Sequence, residues 1–203
     1  ITYAIIWIPE LIFSEQYSLI DRHLNISSYH LGNLEQKAHP YSSSWYTWPI
    51  MLKPIGYYFS SREVLSAGGV QTTVFNSVHL LPNPALYLFS LMAILIMSLK
   101  WMSSFFEVLA TKTYESEFAI SSLILLGFYA NFLPWAFVSR SVFLYHYQPA
   151  SGFAFLALGF LLYKVGLKPE IQYKLLYRLV LFLIVAAFVY WLPLQLGLDI
   201  DRE

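Results

Sequence analysis

The sequence predicts an all-α integral membrane protein with four transmembrane helices and the end of a preceding one. Of its 203 residues, 58% are hydrophobic and only 12% are charged, and the mean hydropathy is +0.55. Soluble domains carry roughly a quarter charged residues, so this balance is typical of a membrane protein. Four apolar segments are each close to the length that crosses a bilayer, namely residues 84–102, 117–137, 147–166 and 176–197.

These segments divide the chain into three regions. Residues 1–13 are apolar but shorter than the roughly 20 residues that span a bilayer. We therefore expect them to be the end of a preceding transmembrane helix, and the chain to be the C-terminal part of a larger protein. Residues 14–83 form a polar and aromatic region, and residues 84–203 form the four-helix region, whose first helix has Pro84 near its start.

The polar region 14–83 mixes Ser, Tyr, Asn, Gly and Pro with short amphipathic runs. A structureless connection of this length is unusual in a folded protein, so we expect short helices that lie along the membrane surface. Residues Ile50–Tyr58 are one candidate, which Pro49 and Pro54 would break into turns.

The basic residues of the short loops predict the orientation. The connections between the first and second helices and between the third and fourth helices contain Lys100, Lys112, Lys164, Lys168, Lys174 and Arg178. The positive-inside rule places these two connections in the cytoplasm. The 14–83 region, the turn with Arg140 and the C-terminus are then predicted to be extracytoplasmic.

The charge balance and the motifs exclude several classes of function. Twelve basic and twelve acidic residues give no net charge, which favours neither nucleic acid nor an acidic partner. The absence of cysteine excludes disulfides and thiolate chemistry, and the five histidines lack metal-ligand spacing, so we expect no metal site. No P-loop, dinucleotide fingerprint or nucleophile elbow predicts a cofactor or a hydrolase.

Residues 39–59, HPYSSSWYTWPIMLKPIGYYF, are the first candidate site. The hydroxyls and the imidazole can bond phosphate or sugar oxygens, and the indole and phenol rings have an apolar and a wet side. The candidate binding residues in this segment are His39, Tyr41, Ser42, Trp45 and Trp48. An aromatic belt that only anchors the protein at the membrane surface would have the same composition, and the residues alone leave both readings open.

Arg140 and His146 are the second candidate site, in the stretch FLPWAFVSRSVFLYHYQPA. An arginine at the bilayer boundary is costly unless it pairs or reaches water, and a phosphate matches its guanidinium fork. Snorkelling of Arg140 to the interface is the alternative. The predicted topology puts both residues on the same face as His39.

Three blocks in order, HPYSSSWYTWPIMLKPIGYYF, NPALYLFSLMAIL and FLPWAFVSRSVFLYHYQPA, resemble the C-terminal four-helix region of the protein O-mannosyltransferases. The similarity runs from about His39 to Trp191. In that family the His-Pro-Tyr block lies on an extracytoplasmic loop, and an Asn-Pro pair opens a transmembrane helix, as Asn83-Pro84 would here. The resemblance implies a multi-spanning lipid-donor glycosyltransferase fold with its C-terminus outside.

The resemblance also implies an inverting transfer of mannose from polyprenyl (dolichyl-type) phosphate mannose to Ser or Thr hydroxyls of secreted or membrane proteins. The residues from His39 to Trp48 would shape the donor and acceptor site, and Arg140 with His146 would hold the lipid phosphate. The donor is a substrate, and no cofactor is implied. The catalytic Asp-Glu pair of the family belongs to an N-terminal module, so we expect no catalytic residue in this chain and a partner module in the same enzyme.

Departures from the family leave the sugar and the acceptor open. Lys53 stands where many relatives have arginine, and Gly56 where many have a bulky aromatic residue. No MIR-like domain interrupts the outer segment, which favours a bacterial type of enzyme in the plasma membrane. The alternatives are a lipid-linked glycosyltransferase for another sugar or acceptor, and a non-catalytic membrane scaffold or accessory subunit.

Overall fold

The computed structural model describes residues 7–8, 12, 18–31, 39–65 and 71–201. The helices in this part of the chain are α1 (Leu19–Leu31), α2 (Pro84–Thr111), α3 (Ser116–Phe132), α4 (Gln148–Gly166) and α5 (Ile171–Leu196). The strands are β1 (Ile55–Leu65), β2 (Gln71–Leu80) and β3 (Asp199–Asp201), and short 3-10 helices cover Trp45–Ile50, Leu133–Phe137 and Leu144–Tyr147.

The described residues form two compact units. The first contains those up to residue 39 together with Ser139–Ser141, and α1 is its helix. The second contains residues 40–138 and those from 142 onwards, and it includes α2 to α5 and the three strands.

Four helical segments of the second unit are long and apolar enough to cross a membrane: Pro84–Thr111, Ser116–Phe137, Leu144–Gly166 and Ile171–Leu196. They coincide with the four spans expected from the apolar segments, which confirms a multi-pass integral membrane protein. The expectation that residues 1–13 end a preceding helix falls almost entirely outside the described residues.

Small side chains hold the transmembrane helices together. The interior positions of α2 and α4 include Ser90, Ala93, Ala150, Ser151, Ala154 and Ala157, all buried. Small residues let helix backbones approach closely and gain van der Waals contact. This packing favours association of the helices in lipid, where burying apolar side chains gives no hydrophobic driving force. By contrast, Val180 is the one buried residue of α5, so most of that helix faces outward from the bundle.

Asn83 and Pro84 open α2 in the expected way. The Asn83 side chain accepts a hydrogen bond from the Leu86 backbone N–H at 3.0 Å, and Pro84 occupies the first turn, where its missing N–H is not needed. The Asn83 amide also donates to the Ile184 carbonyl at 2.7 Å. One side chain therefore caps α2 and ties it to α5.

The polar region contains a β-hairpin that the sequence analysis did not predict. Helical segments do occur at Leu19–Leu31 and Trp45–Ile50, but the expected helix over Ile50–Tyr58 was wrong: residues 51–54 are not helical, and β1 begins at Ile55. There the chain pairs antiparallel with β2, from Ile55 opposite Leu80 to Leu65 opposite Gln71. Aromatic and β-branched side chains suit a pleated sheet, and cross-strand hydrogen bonds satisfy the backbone groups.

The C-terminal strand β3 completes a three-stranded sheet in the order β1-β2-β3. Gly197 ends α5 with a φ of +65°, and Asn76 donates to its carbonyl at 3.3 Å. Asn76 and Arg62 both bond the Asp199 carboxylate, and these hydrogen bonds hold its pKa below the ordinary value. The end of α5 is therefore attached to the hairpin, at the end of the bundle that the sequence analysis assigns to the extracytoplasmic face.

Candidate substrate-binding site

The aromatic loop, residues 40–54, is folded onto residues 142–147, the segment that leads into α4. The Ser43 backbone N–H donates to the Val142 carbonyl at 2.9 Å, and the Lys53 ammonium donates to the Ser42 carbonyl at 2.9 Å. The chain between them forms the 3-10 helix Trp45–Ile50, and Met51 ends it with a φ of 49°. Lys53 thus closes the loop on itself, and Ser43 attaches it to the bundle.

Trp48 is the buried centre of this loop. Its side chain is 1% exposed, and its indole N–H donates to the Ser43 hydroxyl at 2.9 Å. The ring lies almost parallel to that of His146, with centroids 6.1 Å apart, and meets Trp135 edge-on at 5.6 Å. Because the Trp48 ring is buried and its N–H is hydrogen-bonded, it fixes the loop in place and is not exposed for binding. Other side chains of the loop face outward.

His146 is held in one orientation by the backbone. Its Nδ1 lies 3.0 Å from the Phe143 backbone N, and the ring centroid is 4.5 Å from that of Trp135. The same Nδ1 lies 3.0 Å from the Phe143 carbonyl, which already accepts from the His146 backbone N–H. When Nδ1 accepts from the Phe143 N–H, the ring proton is on Nε2, where it is a hydrogen-bond donor.

The outward side of the aromatic loop is formed by Tyr41, Ser42, Trp45 and Tyr46. Tyr41 and Tyr46 are exposed, and Ser42 and Trp45 are half-buried. Trp45 is fixed edge-on against Phe132 of α3, with centroids 5.0 Å apart. The loop therefore presents two phenol rings, a hydroxyl and part of an indole on a rigid base.

Tyr41, Gly56 and His79 form a close group at the base of the hairpin. A Cβ atom at Gly56 would lie 2.8 Å from the Tyr41 hydroxyl oxygen and 3.5 Å from His79 Nε2. The Nδ1 of His79 is buried and has no hydrogen-bond partner among the described residues. From its spacing in the sequence, His79 has no predicted role. Only the pairing of Gly56 with His79 across the two strands brings it beside Tyr41.

Five predicted site residues lie in the second unit, where the aromatic loop meets the start of α4: Tyr41, Ser42, Trp45, Trp48 and His146. His39 and Arg140 belong to the first unit. His39 is exposed, and Arg140 is half-buried and forms no ion pair with another of the described residues. The predicted partnership of Arg140 with His146 stays a prediction.

Two cavities lie between α2 and α3, away from the aromatic loop. One, of about 510 Å³, is lined by charged and hydroxyl side chains that include Lys100, Glu107, Glu115 and Glu117. The other, of about 640 Å³, is apolar apart from Ser98, Ser122 and Tyr129. Neither contains a predicted site residue. Within the described ranges, no group of three or more His, Asp or Glu side chains could hold a metal ion.

Comparison with known proteins identifies the four-helix region. Residues 17–203 match the family model described as the C-terminal four TMM region of protein-O-mannosyltransferase. The polyprenol-phosphate-mannose–protein mannosyltransferase of Mycolicibacterium smegmatis is 27% identical over 179 residues, which are 85% of this chain and 32% of that protein. Dolichyl-phosphate-mannose–protein mannosyltransferase 5 of Saccharomyces cerevisiae is 29% identical over 154 residues, which are 74% of this chain and 20% of that protein.

A solved structure shares the fold. The Saccharomyces cerevisiae protein O-mannosyltransferase Pmt1-Pmt2 complex bound to the sugar donor matches with a TM-score of 0.66 and 24% identity, over 89% of this chain and 25% of that chain. The chain thus spans about a third or less of the length of the curated relatives it matches. With a family match over nearly its whole length, the chain belongs to the C-terminal four-transmembrane region of the protein O-mannosyltransferases.

Proposed function

We propose that this chain is the C-terminal part of a membrane glycosyltransferase that moves mannose from polyprenyl phosphate mannose to Ser or Thr hydroxyls of secreted or membrane proteins. The observation that carries the proposal is the docking of the aromatic loop on the start of α4, where Trp48 stacks on His146. Two of the three sequence blocks that resemble the family meet there. The transfer would take place on the extracytoplasmic face of a bacterial plasma membrane.

The donor phosphate is the group that Arg140 and His146 would hold. A guanidinium matches two phosphate oxygens at once, and a half-buried arginine gains from a bound anion. The backbone around Phe143 orients His146 so that Nε2 can donate to a third oxygen. Both groups would stabilise the charge that builds on the phosphate as the bond to the sugar breaks.

The sugar and the acceptor hydroxyl would lie over the outward side of the aromatic loop. Tyr41 and Ser42 offer hydroxyls to the sugar, and Trp45 offers part of its ring face. His39 would complete this side. Because inversion needs a base to take the acceptor proton, the proposal assigns that proton to the N-terminal module of the complete enzyme. The polyprenyl phosphate is the leaving group, and the proposal includes no cofactor.

A transfer assay on the complete enzyme tests this proposal. Labelled polyprenyl phosphate mannose and the corresponding glucose donor would be offered with a Thr-containing peptide, and the anomeric configuration of the product determined. We expect mannose on the peptide, with the anomeric configuration inverted relative to the donor. Transfer of glucose but not mannose would overturn the sugar, and transfer from neither donor would favour a scaffold.

A further inference from the structure

Strand β1 is an edge of the three-stranded sheet. The order β1-β2-β3 leaves one side of its 11 residues without a strand among the described residues. In an antiparallel pair, the N–H and C=O groups of about every second residue point away from the partner strand. This side of β1 therefore offers a row of backbone donors and acceptors to an added strand.

The edge has only part of the usual protection against such pairing, namely an irregularity of register between Gly56 and Tyr58 and the charges of its second half. Natural edge strands are kept short or carry charges and prolines that block an additional strand. β1 has no proline, and its charged side chains, Arg62 and Glu63, are both in its second half. Its first half carries three consecutive exposed aromatic residues, Tyr57 at 61%, Tyr58 at 55% and Phe59 at 67%. A long edge with exposed aromatic rings is typical of a surface that binds an extended polypeptide.

The opposite edge of the sheet already takes a strand from a distant part of the chain. β3 pairs with β2 from Val74 opposite Asp201 to Asn76 opposite Asp199. Side-chain hydrogen bonds from Asn76 and Arg62 hold it there. The sheet thus accepts an added strand on one side, and on the other side no strand of the described residues pairs with β1.

The open edge begins at the candidate site. At Gly56, the second residue of β1, an added Cβ would lie 2.8 Å from the hydroxyl oxygen of Tyr41, so this hydroxyl faces the start of the strand. A strand added to β1 would run about 4.8 Å from it, so a residue opposite Gly56 would lie near Tyr41 and the outward side of the aromatic loop. The four residues that follow the aromatic ones, Ser60, Ser61, Arg62 and Glu63, are polar, which suits a polypeptide better than a bilayer surface.

We infer that the free edge of β1 binds the acceptor polypeptide as an added β-strand, and so positions its Ser or Thr beside Tyr41. This inference rests on the proposed function, because the acceptor is the protein that receives the sugar. Backbone hydrogen bonds do not depend on the side chains of the acceptor. An acceptor would therefore need an extended stretch that contains a Ser or Thr, and not a fixed sequence motif.

Backbone methylation of the acceptor tests this mode of binding without altering the enzyme. A peptide with a single Thr would carry one N-methyl group at each successive position, and the kinetics of the complete enzyme would be measured. In an added strand only alternate N–H groups face β1. We expect the KM to rise about five- to tenfold at every second position and to change little at the positions between, with kcat preserved.

The outcomes separate this inference from the proposed function. Equal effects at all positions, or none, would overturn the role of β1 while mannose transfer remained. If the unmethylated peptide received no mannose, the proposed function would fall and the inference with it.

Tyr58→Ser supplies the matching change in the protein. Tyr58→Ser should raise the KM for the peptide a fewfold and leave donor affinity unchanged. The control is Tyr114→Ser, at an exposed tyrosine between α2 and α3, which should change neither quantity. If Tyr58→Ser left the peptide KM unchanged, the exposed aromatic ring would have no part in acceptor binding, contrary to the inference.

Discussion

The imidazole of His146 lies almost parallel to the indole of Trp48, at 20° and 6.1 Å between ring centroids. Trp48 belongs to the aromatic loop and His146 to the short helix before α4, so the pair joins two segments far apart in the sequence. His146 is itself held by the backbone of Phe143. The position of the loop therefore depends on the start of α4.

This pair should be energetically coupled. Trp48→Ala should destabilise the protein by about 3–5 kcal/mol, because the ring is buried and its removal leaves a cavity. Trp48→Ala combined with His146→Ala should cost less than the sum of the single changes by about 0.5–1.5 kcal/mol. Thermal unfolding in detergent measures each cost. The control is the pair Trp191→Ala and His146→Ala, whose rings make no contact and whose costs in unfolding free energy should add. Additive costs for Trp48→Ala and His146→Ala would contradict the coupling.

Gly56→Ala should disturb the aromatic loop through Tyr41. The new Cβ would lie 2.8 Å from the Tyr41 hydroxyl, the end of an exposed side chain that must then move, so we expect a loss of about 0.5–1.5 kcal/mol and weaker acceptor binding. Tyr41→Phe removes that oxygen, so the double variant should be more stable than Gly56→Ala alone. Gly152→Ala, where a Cβ meets nothing within 4 Å, is the matched control. The contact would be disproved if Gly56→Ala were as stable as the control.

Gly127 sets the approach of α3 to α4. A Cβ there would overlap the Phe153 ring, so Gly127→Ala should destabilise the bundle by about 1–3 kcal/mol. Phe153→Ala in the same protein should relieve part of that loss. Gly159→Ala, which faces open space, should be neutral or stabilising in the same unfolding measurement. Equal stability of Gly127→Ala and Gly159→Ala would be evidence against this packing.

The attachment of β3 should weaken in acid. Hydrogen bonds from Asn76 and Arg62 lower the pKa of Asp199 from its ordinary value of 3.8. A carboxyl group whose pKa is lowered by folding stabilises the folded state at every pH above its ordinary pKa. This contribution is lost as the pH falls through the lowered pKa of the folded state. Because the carboxylate is exposed, the effect should be small.

Hydrogen exchange of the amides in β2 and β3, corrected for intrinsic rates, measures this loss. Asp199→Asn should remove the pH dependence, whereas Glu115→Gln, at an exposed carboxylate outside the sheet, should preserve it. A pH dependence that survives Asp199→Asn would show that another group is responsible.

The four transmembrane helices could be predicted because length and apolarity alone decide whether a helix spans a bilayer. Asn83-Pro84 could also be predicted, since cap chemistry is local. The hairpin could not be separated from an amphipathic helix over Ile50–Tyr58 by composition. Gly68-Gly69, between two stretches rich in β-branched and aromatic residues, is the signal in the sequence that favours a hairpin.

The candidate site was predictable as a set of residues but not as a geometry. Trp48 and Trp45 are the same residue type in the same loop, yet only Trp48 is buried, because its N–H meets Ser43 and its ring meets His146. His79 gave no signal in the sequence, since its place beside Tyr41 depends on cross-strand pairing with Gly56. Such long-range pairing is a property of the fold and not of any local pattern.

The central claim, that this region of the enzyme holds a lipid-linked donor phosphate, is tested most directly by donor affinity in an Arg140→Ala variant of the complete enzyme. We expect binding of polyprenyl phosphate mannose to weaken at least tenfold with the acceptor KM unchanged, and Arg140→Lys to restore only part of it, because an ammonium lacks the guanidinium fork. Arg178→Ala, at an exposed arginine near the start of α5, should bind the donor as the parent enzyme does. Donor affinity in Arg140→Ala equal to that of the parent enzyme would contradict the account.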